Sequence, residues 1–183
     1  MIPQINFFLS YYLQSKIILC PYNRDELIIF KDKLETLFNT HKKFILNEIK
    51  KISGHEWPLN KINIWLFKGW CPSISTPLLL NTYDEDLDFC FFNLIHELVH
   101  NNIMNLEIKN DKNEWDHLEL EAIVNVITKK VLSQIFSKKI MNELTCRAEF
   151  GGFYKYVWIR VEKIENELIE KNMSMKKWLD KNE

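Results

Sequence analysis

The sequence predicts an α+β fold on three observations. A short cluster of β-branched and aromatic runs lies before the middle of the chain. Long segments of helical periodicity flank it, and only 4 glycines and 5 prolines are present to break them. Residues 1–60 read as a helical and extended N-terminal region. From Arg24 to Ile52 the apolar residues Leu27, Phe30, Leu34, Leu37, Phe38, Phe44, Ile45 and Ile49 recur every three or four positions, and Ser53-Gly54 ends the pattern. Ile62 to Phe67 and Pro77 to Tyr83 are then candidate strands. Trp70 to Ser75 could add another, but Pro72 would confine it to a sheet edge. Trp65, Phe67 and Trp70 read as packing residues, with the option that an edge strand there pairs with an extended peptide.

Asp84-Glu85-Asp86 suits a helix N-terminus, and Leu87 to Met104 reads as a helix that is apolar over most of its circumference, hence a central one. A second helix over about Glu114 to Phe136 would bury Leu118, Ile123, Val124, Ile127, Val131 and Ile135. A third, over about Phe153 to Glu170, carries Val157, Ile164 and Leu168. No repeat or low-complexity linker interrupts residues 1–183, so one domain is expected: an N-terminal region at 1–60, strands and two helices at 61–136, and C-terminal helices at 137–183.

Composition narrows the functional classes. Lys+Arg 24 against Asp+Glu 25 gives a net charge of -1, which offers no general phosphate-binding surface, and no nucleic acid partner is expected. No apolar run reaches the roughly 18 residues that span a bilayer, so no membrane partner is expected either. Cys20, Cys71, Cys90 and Cys146 form no C-x-x-C pair, which disfavours a zinc ribbon or a dithiol redox site. With no basic N-terminal region ahead of Phe7-Phe8-Leu9, a cytoplasmic protein with reduced thiols is expected. A chain of this length needs no structural metal to fold, so any metal site would be chemical.

The chemistry is concentrated in His96-Glu97-Leu98-Val99-His100. In this H-E-x-x-H pattern two imidazoles at i and i+4 point the same way and can grip one Zn²⁺, while the intervening glutamate can reach a water at an open coordination position. Composition alone would produce the pentapeptide at roughly the 1% level. The bland alternative makes His96 and His100 satisfied core or surface histidines. Against it stands the setting, because polar groups on a buried helix are costly without partners.

A catalytic zinc usually has three protein ligands, so a third is sought downstream. In Leu118-Glu119-Leu120-Glu121-Ala122-Ile123-Val124-Asn125, Glu121 and Asn125 share a helix face, and Glu121 follows His100 by 21 residues. Here the chain resembles the gluzincins, the thermolysin-like zinc peptidases, in which H-E-x-x-H is followed some twenty residues later by a helix with E-x-x-x-D. The likeness covers about Trp70 to Lys129, and the short chain looks like the minimal gluzincins of prokaryotes. It implies a small zincin-like sheet with an active-site helix and a glutamate helix, Zn²⁺ as cofactor, Glu121 as third ligand, and Asn125 in the place of the acid that orients His96. Asn125 departs from the family's Asp, and Leu120 stands where many relatives have Asn.

Other ligands compete less well. Glu119 lies about 200° around the helix from Glu121, so only one of them can face the metal, and Glu121 is preferred. His117 lacks the H-x-x-G-x-x-H extension that would recruit a third imidazole, since Asn101-Asn102-Ile103-Met104 follows His100. His41 and His55 read as structural or exposed. An oxyanion donor could come from Tyr154, Tyr156, His117 or Arg160, with Tyr154 the candidate carried forward.

The expected function is hydrolysis of peptide bonds in a peptide or protein substrate, with His96, His100 and Glu121 on zinc and Glu97 as general base. Two alternatives stay open: a non-catalytic zinc-binding helical interaction module, and an intracellular regulatory protease that cleaves one partner protein. Substrate and oligomeric state are not encoded in any visible pattern. The C-terminal Lys176 to Lys181 reads as a solvated terminal helix, with a cleft plug as the alternative.

Overall fold

A computed structural model describes residues 2–10, 24–68, 73–82, 86–105, 117–148 and 152–182, the side chains of 152–154 excepted. Within these residues the fold is mixed, with a three-stranded parallel sheet and six helices, as the α+β expectation requires. Two compact units are distinguished, one of residues 1–46 and 57–101, the other of residues 47–56 and 102–183.

The first unit is built on the sheet. Strands β1 (Gln4–Leu9), β2 (Lys61–Phe67) and β3 (Leu79–Asn81) lie in that order, each parallel to its neighbour. Parallel neighbours cannot be joined by a tight turn, and the link from β1 to β2 contains α1 (Arg24–Ser53), a 30-residue helix. Register pairs Ile5 with Ile62 and Phe7 with Ile64, so their apolar side chains form one continuous buried surface. The other side of the strands is polar and aromatic: Asn6 Nδ2 donates to Asn63 Oδ1 at 3.1 Å, and Phe8 stacks on Trp65 at 4.7 Å. On the apolar side, Phe7 meets Phe38 of α1 edge to face at 5.7 Å. Leu27, Phe30, Leu34, Phe38, Ile45 and Leu46 of α1 are buried, whereas Phe44, part of the expected stripe, is exposed and Leu46 takes a place in the core.

The same unit holds most of α2 (Leu87–Asn102). Its Phe91, Phe92, Leu94, Ile95, Leu98 and Val99 are almost wholly removed from solvent, as expected of a helix apolar around most of its circumference. The expected edge strand at Trp70–Ser75 is represented only by a single antiparallel bridge from Ile74 to Leu79, with Trp70, Cys71 and Pro72 outside the described residues.

The second unit is helical. It contains the end of α1, then α3 (His117–Leu132), α4 (Lys138–Ala148), α5 (Gly152–Glu170) and α6 (Met175–Asn182). Helices α3 and α5 pack along one another, with Ile123, Val124, Ile127 and Val131 from the first and Val157, Val161, Ile164 and Leu168 from the second in the core. Lys129 ties the pair with a 2.7 Å bridge to Glu165. Helix α5 gives way at Asn172, whose φ of 45° lies in the left-handed region that Asn tolerates. Ser174 then caps α6, its hydroxyl accepting the Lys177 amide at 3.3 Å. Met175, Trp178 and Leu179 of α6 are buried, so the chain's last helix is a packing element of this unit instead of a solvated appendage. Gly54, with φ of 79°, stops α1, and a Cβ there would run into the Lys176 side chain.

Trp178 Nε1 donates to Glu167 Oε2 at 3.1 Å, and this hydrogen bond is the chief reason the Glu167 carboxyl is held below its usual range. Because the folded state favours the carboxylate, the stabilisation is complete above the ordinary glutamate pKa and fades as pH falls through the depressed one. Trp178→Phe should therefore lose more stability near pH ~7 than near pH ~3, measured by urea unfolding at both. An equal deficit at the two pH values would show that the Glu167 contact contributes nothing to the acid limb.

Candidate metal centre

Helix α2 presents His96, Glu97 and His100 because its start is fixed. Asp86 caps it, with Oδ1 accepting the Phe89 amide at 2.9 Å and its carbonyl accepting the Cys90 amide at 2.9 Å. Just beyond, Asp88 is pushed up from the usual carboxylate range, first by burial and then by the Asp86 charge. At the other end Asn101, 3% exposed, donates from Nδ2 to the Ser75 carbonyl at 2.8 Å and to the Glu97 carbonyl at 2.9 Å. This brace joins the last turn of the helix to the segment leading into β3. The sequence pattern does not point to it, although an Asn pair directly after the second histidine is a visible signal.

Between these fixed ends the two imidazoles face one another. His96 Nε2 and His100 Nε2 are 3.2 Å apart, with ring centroids at 4.8 Å and planes inclined by 69°. Both rings are half-buried, and Glu97 between them is buried at 8% exposure. Donors bound at about 2.05 Å to one tetrahedral ion sit about 3.3 Å from each other, so the observed nitrogen separation suits shared coordination.

Helix α3 carries the acidic candidates. Glu121 is half-buried, and one turn on Asn125 donates from Nδ2 to the Glu121 carbonyl at 2.8 Å. Asn125 thus directs its amide hydrogen bond to its own helix, as Asn side chains in helices do. Glu119, the rival acid, is engaged by Arg160 of α5: Nη2 donates to Oε1 at 2.6 Å, and Nε donates to Oε2. This is a bidentate fork between largely buried groups, with side-chain exposures of 23% for Arg160 and 15% for Glu119. The three residues with ligating side chains from the sequence pattern, His96 and His100 on α2 of the first unit and Glu121 on α3 of the second, are each half-buried.

The remaining candidates fall elsewhere. His117 opens α3 and is exposed. Tyr156 is 62% exposed on α5, and Arg160 is committed to Glu119. Tyr154 lies in α5, but its side chain is outside the described residues. His55 follows α1 with its carbonyl accepting from Asn102 Nδ2 at 3.3 Å, and His41 is half-buried on α1. Of the cysteines, Cys90 and Cys146 are free thiols, and Cys20 and Cys71 lie outside the described residues. Among the described residues no helix is long and apolar enough to cross a membrane.

The dependence of the histidine face on the Asp86 cap can be measured. Asp86→Ala should cost about 1 kcal/mol of stability, and Asp86→Asn, which retains a capping oxygen, about a few tenths at most. Equal losses in thermal or chemical unfolding would show that the cap does not hold the helix start. Comparison with models of known protein families, with curated proteins and with solved structures gave no match.

Proposed function

We propose that the protein is a zinc metallopeptidase of the gluzincin kind, in which His96, His100 and Glu121 hold one Zn²⁺ and Glu97 is the general base. The observation that carries this reading is the 3.2 Å approach of the two Nε2 atoms inside H-E-x-x-H, close to the spacing that a shared tetrahedral ion requires. The donor set of two imidazole nitrogens and one carboxylate oxygen suits zinc and leaves a fourth position for water or substrate.

Zinc, when bound, would polarise a scissile carbonyl and acidify a neighbouring water. The chain's own residues do the rest. Glu97 takes the proton of the attacking water and returns it to the leaving nitrogen, which a carboxylate adjacent to, but not on, the ion can do. Asn101 donates to the Glu97 carbonyl and to the Ser75 carbonyl, which fixes the end of the helix that carries the base. Tyr154 is the sequence's candidate to donate to the developing oxyanion. The substrate is a peptide or protein.

Metal analysis tests the ligand set. Wild type should retain about one zinc per chain after dialysis, and His96→Ala and Glu121→Ala should each lose most of it. Retention in Glu121→Ala equal to wild type would remove Glu121 from the ligand set.

Catalysis is tested separately. Glu97→Gln keeps the side chain's shape, so zinc content and thermal stability should stay near wild type while cleavage of a mixed peptide library falls roughly 10²-fold, read by mass spectrometry. A zinc-loaded Glu97→Gln protein that cleaves as fast as wild type would exclude the general base, and a non-catalytic zinc module would then be the better reading.

A further inference from the structure

Two carboxylates stand in the first turns of α3, Glu119 and Glu121, with one residue between them. They point about 200° apart around the helix axis, so they cannot serve one ion, and their surroundings differ as well. Both oxygens of Glu119 are engaged by the Arg160 guanidinium, one through Nη2 at 2.6 Å and the other through Nε, and the pair is more than three-quarters buried. A fork of this kind fixes orientation as well as charge, because two parallel hydrogen bonds leave the carboxylate no free rotation. It also joins the first turn of α3 to the middle of α5, a helix that packs along it through Val157, Val161 and Ile164. The first turn of any helix is its least constrained part, having amides without intrahelical partners.

We propose that Arg160 is a positioning residue for the metal ligand on α3: by forking onto Glu119 it clamps the first turn of α3 so that Glu121, on the other side of the helix, is held in one orientation. The inference rests on the reading of Glu121 as a zinc ligand. Arg160 touches neither metal nor substrate in this scheme; it acts through Glu119. Groups that orient ligating side chains or their backbone typically change metal affinity about 10- to 100-fold when removed. The clamp lies two residues from the ligand, so the lower end of that range is expected.

The experiment is zinc affinity by chelator competition, paired with thermal unfolding of the metal-free protein, for wild type, Glu121→Ala, Arg160→Ala, Arg160→Lys, Glu119→Ala and the Arg160→Ala/Glu119→Ala double variant. Arg160→Ala should bind zinc about 10-fold more weakly while still taking one ion per chain. Arg160→Lys, which keeps the charge but not the fork, should fold and fall between it and wild type. The double variant should be no weaker than Arg160→Ala alone, since both changes break one clamp. A lower unfolding temperature in Arg160→Ala with zinc affinity unchanged would overturn the proposal and leave the fork a purely structural bridge. If Arg160→Ala does not fold, Arg160→Lys with wild-type affinity would overturn it equally. Wild type that holds no zinc, or Glu121→Ala that holds it as well as wild type, would overturn the ligand reading and this inference together; intact Glu121 dependence with no Arg160 effect overturns this inference alone.

Discussion

The burial of α2 is the constraint on which the candidate centre depends. Phe91, Phe92, Leu94, Ile95, Leu98 and Val99 are shielded from solvent, so the helix cannot rotate without exposing large apolar side chains. Each such side chain contributes roughly 1.5–3 kcal/mol when fully buried, and together they outweigh what a few polar groups lose on entering the same environment. His96, Glu97 and His100 are thereby carried into half-buried or buried positions by their neighbours, not by any preference of their own. The polar groups that accompany them show how the cost is limited. Asn101 is matched to two carbonyls, and Asp86 satisfies the helix start.

The helical unit adds electrostatic contacts to its apolar packing. Helix α3 opens with acids on opposite sides of its axis, and one of them, Glu119, receives the fork from Arg160, 41 residues further along the chain. Lys129 acts similarly further along, bridging to Glu165 while its ammonium lies 5.5 Å from the centre of the Trp158 ring. The contacts between α3 and α5 therefore combine an apolar seam with an ion pair near each end, an arrangement that fixes rotation about the helix axis better than apolar packing alone.

Legibility in the sequence follows the range of the interaction. Helices α1, α2 and α5 are readable because a 3.6-residue period is a local signal: Arg24, Leu87 and Gly152 start them within a residue or so of where the apolar pattern begins. The H-E-x-x-H geometry is readable for the same reason, since i and i+4 fix two side chains on one face wherever the helix sits. Strand β1 is not singled out within the mixed helical and extended region of residues 1–60, and its parallel pairing with β2 depends on a partner 57 residues away that no local pattern specifies. Helix α4 leaves no comparable trace, because only Met141 and Leu144 of its 11 residues are buried, too few to impose a period. The Arg160 fork is hidden for a third reason: its two ends lie on different helices, and nothing in the chain indicates that Glu119, and not Glu121, receives the guanidinium.

Asn125 shows how a single neutral residue changes the expected support of a ligand. A carboxylate at that place would carry a full charge to a histidine ring and strengthen the hydrogen bond between them. The amide instead has a nitrogen to satisfy, and it does so on the Glu121 carbonyl one turn back, at 2.8 Å. That bond couples Asn125 to the backbone of the very residue proposed as the third ligand. It adds no negative charge near the donors. Within the spacing of E-x-x-x-D, this asparagine therefore brings a neutral hydrogen bond to the main chain where an acid would bring charge. On the same helix Glu119 is held by a different device, the guanidinium fork from Arg160 on α5.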